Sequence, residues 1–192
     1  MKHLIIYAHP NTESLNHFLK QYVADLLSDQ NHEVEIRDLY AINFNPVLSI
    51  DDLQGQRQGT VAGDVQTEQE WIGWADCITI VHPIWWTGLP AMMKGYIDRV
   101  FSYNFAYSYD HGVQKGLLVG KKCVVLNTHG KSHDEYYALG MDQAFSLVFD
   151  TGIYKYCGLE LKKHLFIDQA DRMSAEHLHP YLLEIEKIYS GI

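Results

Sequence analysis

The sequence predicts an α/β fold: a doubly wound, five-stranded parallel sheet with helices packed on both faces. Two observations carry this prediction. Short apolar runs alternate along the chain with stripes of helical spacing. Several of those runs are continuous rather than alternating, as strands buried on both faces are. Leu4-Ile5-Ile6-Tyr7-Ala8 is the first such run. Leu15, Phe18, Leu19, Tyr22, Val23, Leu26 and Leu27 then recur at helical spacing, with Ser14 placed as the N-cap. Val34-Glu35-Ile36-Arg37 alternates and makes the second strand. Glu68 to Ala75 reads as helix, and Cys77-Ile78-Thr79-Ile80-Val81 as the third strand. Pro90 suits the first turn of a helix reaching Ser102. Lys121 to Leu126 is the fourth strand, Met141 to Phe149 a helix, and Leu159 to Ile167 the fifth strand. Ser174 caps a last helix carrying Leu178, Leu182, Ile185, and Ile188 or Tyr189. Two stretches stay irregular on this reading: Leu39 to Gln66, and Tyr103 to Gly120.

The 192 residues read as one domain, 1–192, and 47% hydrophobic content supplies its core. The net charge of −9 argues against nucleic acid or an anionic membrane as partner. Cys77, Cys123 and Cys157 form no CxxC and sit in or beside apolar runs. They read as buried free thiols in a reducing compartment, so the cytoplasm is the expected location. The run Leu4–Ala8 is broken at His9-Pro10, which fits no signal peptide, and no run reaches the roughly 18 apolar residues of a membrane helix. His177 and His179 lie two apart on a helix and face different ways, so no metal site is expected.

In such sheets ligands bind beyond the carboxyl ends of the strands, where the strand order reverses. After strand one, His9, Ser14 and Asn16 lead into a helix N-terminus, an anion site by its free amides and dipole. Ordinary capping by Ser14 accounts for those residues equally well. After strand three, two adjacent tryptophans, Trp85 and Trp86, stand between Pro83 and Pro90. Adjacent side chains point apart, which disfavours a shared core position, and a flat ligand would give both rings a wall to form. After strand four, Asn127 to Tyr137 contains Gly130 for close backbone approach and His and Tyr donors. Taken alone, that segment reads as a polar surface loop.

The string Asp38-Leu39-Tyr40-Ala41-Ile42-Asn43-Phe44-Asn45-Pro46 is outside any periodicity argument. With Pro83-Ile84-Trp85-Trp86-Thr87-Gly88-Leu89-Pro90-Ala91, Lys94 to Phe101, Phe105-Ala106-Tyr107-Ser108-Tyr109, and Tyr156-Cys157-Gly158, it resembles the DT-diaphorase family. These are the NAD(P)H:quinone oxidoreductases among flavodoxin-like flavoproteins. The likeness runs from the first strand to the last helix and implies a flavodoxin-like fold.

The resemblance further implies roles. His9, Ser14, Leu15 and Asn16 match the family's flavin-phosphate loop. Pro83, Ile84, Trp85, Trp86 and Thr87 match the wall of the flavin ring. Asn127, Thr128, His129 and Gly130 match a Thr-Thr-Gly-Gly loop holding its pyrimidine side. Tyr107 and Tyr109 match a pair offered to the partner's site in a homodimer, where they and Trp86 would contact the quinone. The family's Tyr, acting with a His six residues on, is matched by Tyr136 or Tyr137, but Asp142 or Gln143 stands at the second position. His133 or His129 is the substitute in that reading. The expected cofactor is FAD, with FMN as the alternative, and NAD(P)H the co-substrate, in a ping-pong transfer of hydride to a quinone. A regulatory subunit of a potassium-efflux transporter and a flavodoxin-type electron carrier are the rival expectations.

Overall fold

Along all 192 residues of the computed structural model, the elements follow in the order β1 (Lys2–Tyr7), α1 (Leu15–Asp29), β2 (Glu33–Asp38), α2 (Ile50–Gln58), α3 (Gly63–Trp74), β3 (Cys77–Pro83), α4 (Ala91–Val100), β4 (Tyr107–Asp110), β5 (Val113–Gly116), β6 (Lys122–Thr128), α5 (His133–Ala138), α6 (Met141–Phe145), a π-helical segment (Ser146–Lys155), β7 (Glu160–Ile167), a short 3-10 turn (Ala170–Arg172) and α7 (Ala175–Ser190). Five strands pair in the order β2-β1-β3-β6-β7, all parallel. The order reverses between β1 and β3, which opens a crevice at their carboxyl ends.

Pleating sends alternate residues of the central strands to opposite cores. Leu4, Ile6, Ile78, Ile80, Cys123 and Val125 pack with α3, α4 and the π-helical segment, through Ile72, Met93, Tyr96 and Phe149. Ile5, Tyr7, Val81, Val124 and Leu126 pack with α1 and α7, through Leu19, Val23, Leu27, Ile185 and Tyr189. The expected three-layer α/β/α arrangement is therefore present. Ser14 and Ser174 cap their helices as expected, accepting from the amides of His17 and His177. The three cysteines are buried and free, and burial pushes Cys77 and Cys157 up to about 12.

The two stretches left irregular by the sequence contain structure. Leu39 to Gln66 holds α2 and the start of α3. Asp52 is the sole buried residue of α2, while Ile50 and Leu53 are exposed, so no apolar stripe announced the helix. A buried arginine fastens it instead. Arg99 on α4 donates to Asp52 Oδ1 and Oδ2 at 3.1 Å each, to Asp64 at 2.5 Å and to the Asn45 carbonyl at 2.8 Å. Tyr103 to Gly120 contains the antiparallel pair β4–β5. The predicted helix from Met141 is α6 running into ten π-helical residues, so it extends to Lys155 rather than Phe149.

The backbone of the loop beside Pro46 lies directly on α4. A Cβ at Gly95 would stand 2.0 Å from the Pro46 carbonyl oxygen. Gly95→Ala is expected to destabilise the fold by about 1–3 kcal/mol or more through forced backbone displacement. Urea denaturation of the variant checks this, and a loss below about 0.5 kcal/mol would show that the loop yields freely.

Candidate active site at the strand carboxyl ends

Four strand exits, those of β1, β3, β6 and β7, and the N-terminus of α1 converge on a cleft of about 660 Å³. The exit of β1 is held in shape locally. His9 Nδ1 accepts from the Asn11 amide at 3.0 Å, and Asn11 Oδ1 accepts from the Glu13 amide at 2.8 Å. The Leu15 and Asn16 amides then head α1 without an acceptor in the chain. Asn16 is buried, and its Nδ2 donates to Thr128 Oγ1 at 2.8 Å, tying α1 to the β6 exit. Its Oδ1 is buried and unpartnered.

The β3 exit is joined to β6 by the Ile84 amide, which donates to the Thr128 carbonyl at 2.7 Å. Trp85 and Gly88 then exchange two backbone hydrogen bonds of 3.1 and 3.0 Å around Trp86 and Thr87. Both central residues have positive φ, 50° and 56°, the left-handed pair of a type I′ turn. Such turns favour Asn-Gly, and a β-branched residue there is strained by about 1–3 kcal/mol. The strained turn holds the Trp86 ring fully in solvent and Trp85 at 43% exposure, with Trp85 5.5 Å from the His9 ring.

The β6 exit is pinned to β7. The His129 amide donates to the Ile167 carbonyl, and the Ala170 amide to the His129 carbonyl, each at 3.0 Å. A Cβ on Gly130 would stand 2.6 Å from Asp171 Oδ2, so the glycine makes room for that carboxylate. His129 is buried, with Nδ1 unpartnered. Burial first, and then the neighbouring His133, lowers its pKa, so the ring is neutral. It lies 4.7 Å from the Tyr136 ring.

Of the residues singled out from sequence, His9, Ser14, Leu15, Asn16, Pro83, Ile84, Trp85, Trp86, Thr128, His129 and Gly130 line this cleft together. Thr87 and Asn127 do not: Thr87 turns its hydroxyl back to the Trp86 carbonyl, and Asn127 is buried beneath the floor. Tyr136 stands behind His129, while Tyr137 is 73% exposed. His133 reaches the Tyr181 hydroxyl at 3.0 Å, away from the lining. Tyr107 and Tyr109 sit on the β4–β5 hairpin, and Tyr109 meets the Tyr156 hydroxyl at 2.9 Å. Neither lines the cleft of its own chain.

The lining also includes Glu13, Ala170 and Asp171, which sequence reasoning missed. Glu13 stands in the β1 exit loop between His9 and Ser14, whereas Ala170 and Asp171 come from the exit of the edge strand β7, which lies outside the switch point. Asp168, at that exit, accepts from His177 Nε2 at 2.7 Å, the Tyr181 hydroxyl at 2.8 Å and the His133 amide at 3.0 Å. Burial opposes its ionisation, but these donors outweigh it and hold its pKa well below the usual carboxylate range. The cleft carries two carboxylates and no Lys or Arg, so an anionic group bound there relies on amides, hydroxyls and the α1 dipole.

A family model described as a flavodoxin-like fold matches residues 1–188. An uncharacterized NAD(P)H oxidoreductase of Haemophilus influenzae is 40% identical over 161 residues, 83% of this chain and 80% of the relative. The NAD(P)H dehydrogenase (quinone) 1 of Rattus norvegicus is 30% identical over 178 residues, 82% of this chain and 65% of that enzyme. The structure of an NAD(P)H:quinone oxidoreductase from Methanothermobacter marburgensis superposes with a TM-score of 0.87 at 25% identity, covering 97% of this chain and 96% of that one. No helix is long and apolar enough to cross a membrane. The chain belongs to the flavodoxin-like fold family, alongside relatives named as NAD(P)H oxidoreductases.

Proposed function

We propose that the protein is a flavin-dependent NAD(P)H:quinone oxidoreductase whose cleft holds FAD, with FMN as the alternative. The observation that carries this is the combination of free α1 amides, a buried unpartnered Asn16 Oδ1 and His129 Nδ1, and exposed tryptophans around one crevice. Those residues fit a flavin: amides and Ser14 for its phosphate, Trp85 and Trp86 for its ring, Thr128 to Gly130 for its polar edge. The preference for FAD rests on the likeness of residues 38–46 to the quinone oxidoreductases. When bound, the flavin supplies the hydride acceptor and donor chemistry.

The chain's own residues bind and orient. The I′ turn presents Trp86 as one wall of a slot that nicotinamide and quinone occupy in turn, hence ping-pong kinetics. His129, neutral and lining the cleft with its Nδ1 buried and unpartnered, is the group placed to stabilise negative charge on the ring, and Tyr136 backs it. The hairpin tyrosines, Tyr107 and Tyr109, complete the slot from a second copy in a homodimer, because they stand off the cleft of their own chain.

The deciding experiment is an absorption spectrum of the purified protein, followed by NADH or NADPH and then menadione under argon. Bleaching and recovery of a bound flavin support the reading, and released flavin distinguishes FAD from FMN. Absence of flavin after reconstitution would overturn it. His129→Ala is expected to slow reduction of the bound flavin by about 10- to 1000-fold in stopped-flow traces, with Tyr137→Phe unchanged. Equal rates for His129→Ala and wild type would remove His129 from the mechanism.

A further inference from the structure

Beneath the cleft floor runs a chain of buried polar side chains that the proposed reaction leaves unused. It begins on the π-helical segment at Asp150, crosses β7 at His164 and β6 at Asn127, and reaches β3 at His82. Asn127 and His82 are fully buried, and the His164 side chain is 3% exposed.

The hydrogens of this chain can be assigned from geometry. Asn127 Nδ2 lies 3.0 Å from the His82 carbonyl, 3.3 Å from the Leu126 carbonyl and 3.1 Å from His82 Nε2. Two carbonyl acceptors require the amide nitrogen on that side, so Asn127 Oδ1 faces His164 Nε2, at 2.7 Å. His164 Nε2 therefore donates. His164 Nδ1 faces Asp150 Oδ1 at 2.5 Å. Each ring nitrogen thus meets an oxygen acceptor, and an ionised Asp150 puts a proton on both. Onward, His82 Nδ1 donates to the Pro83 carbonyl at 2.9 Å. His164 Nδ1 donates back to Asp150, while His164 Nε2, Asn127 Nδ2 and His82 Nδ1 donate in the direction of Pro83, which lines the cleft.

Aromatic rings shield the pair of Asp150 and His164 from water. Phe166 stacks on the His164 ring at 3.9 Å, and Phe149 and Tyr154 close the other sides. Tyr154, His82 and Cys123 are the other titratable groups nearby, and burial keeps all three neutral. Burial pushes His82 down to about 4, the Pro83 carbonyl opposes this, and the neighbouring His164 lowers it further.

We propose that Asp150 and His164 form a buried carboxylate–imidazolium pair whose positive end is turned, through Asn127 and His82, toward the cleft floor, where it favours negative charge on the bound flavin ring. The inference rests on the flavin reading above. His164 acts here as a positioning residue, since it touches neither cofactor nor substrate. Asn127, which the resemblance placed at the flavin, serves instead as the link between this pair and the floor.

The test uses the holoprotein and two readouts. Nitrogen-15 histidine NMR at pH 7 is expected to show His164 with protons on both ring nitrogens in the wild type and on one in Asp150→Asn. Redox titration of His164→Gln, whose amide can still donate to Asn127, is expected to show about a tenfold lower equilibrium constant for two-electron flavin reduction, about 30 mV. If His164→Gln fails to fold, Asp150→Asn carries the same direction of shift. A single ring proton on wild-type His164, or an unchanged potential in the variants, would overturn the proposal. A wild-type chain that holds no flavin would overturn the functional reading and the charge role with it, while the NMR signal would still report the pair.

Discussion

Arg99→Met is expected to lower the unfolding free energy by about 3–5 kcal/mol, because it strands a buried carboxylate. The Arg99 and Asp52 side chains are 5% and 6% exposed, and Asp64 is 44% exposed. The methionine fills most of the arginine stem but offers no donor to Asp52 or to the Asn45 carbonyl. Asp52 then carries the full cost of an unpaired buried charge, whereas Asp64 turns to water. The double variant Arg99→Met, Asp52→Leu should recover part of the loss, since an apolar pair removes the stranded charge. Urea denaturation at pH 7 measures both. A loss below about 1 kcal/mol in the single variant would mean that the pair is no stronger than a surface one. The ion pair also has a pH signature. Burial opposes ionisation of Asp52, but its bonds to Arg99 lower its pKa, as they do for Asp64. Their contribution is present above the ordinary carboxylate pKa and is lost as pH falls below it.

Acid is expected to act earlier, through two histidines. His3 and His82 are buried, and burial is the first cause that pushes each down to about 4. His32 and the amino terminus lower His3 further, and both of its ring nitrogens lack partners. Between the unfolded value of about 6.5 and the folded value near 4, the unfolded chain binds more protons, so stability falls as pH falls through that window. Each histidine contributes about 3 kcal/mol to the loss, from a shift of roughly two units or more at 1.36 kcal/mol per unit. Unfolding free energies from denaturation at pH 7, 5.5 and 4.5 should therefore fall well before the carboxylates titrate. His3→Phe should remove about half of that slope. A variant whose stability falls as fast as the wild type's over this range would remove His3 from the account.

The sheet was legible in the sequence because each strand buries both faces or alternates cleanly, and α1 and α7 because their stripes face one core. The segments that escaped detection are those held by something other than apolar periodicity. Charge on Arg99 fastens α2. Backbone approach sets the hairpin, where a Cβ at Gly116 would stand 2.3 Å from the Gly158 nitrogen. The six residues of α5 bury nothing, and a Ser132–Glu135 capping box starts the helix. The same division runs through the cleft. The rule that ligands sit beyond strand ends directs attention to the loops of His9, Ser14, Asn16, Trp85 and Trp86, whereas Thr128, His129 and Gly130 stand out through the family resemblance. Asp171 and Ala170 escaped because they come from the edge strand. Tyr136 or Tyr137 stood open in the sequence, and the α5 geometry separates them by turning Tyr137 outward.

The type I′ turn at Trp86-Thr87 bears on how this protein would respond to engineering. A stabilisation campaign that scores residues against their backbone geometry would choose Asn-Gly at those two positions, and by local preference it would be right. The melting temperature would rise, the sheet would be untouched, and the aromatic wall would be gone. Selection for thermal robustness alone therefore pulls this loop away from the flavin recognition proposed for it, and a library built on this scaffold that is to keep that proposed role should hold residues 86 and 87 fixed while the rest is varied.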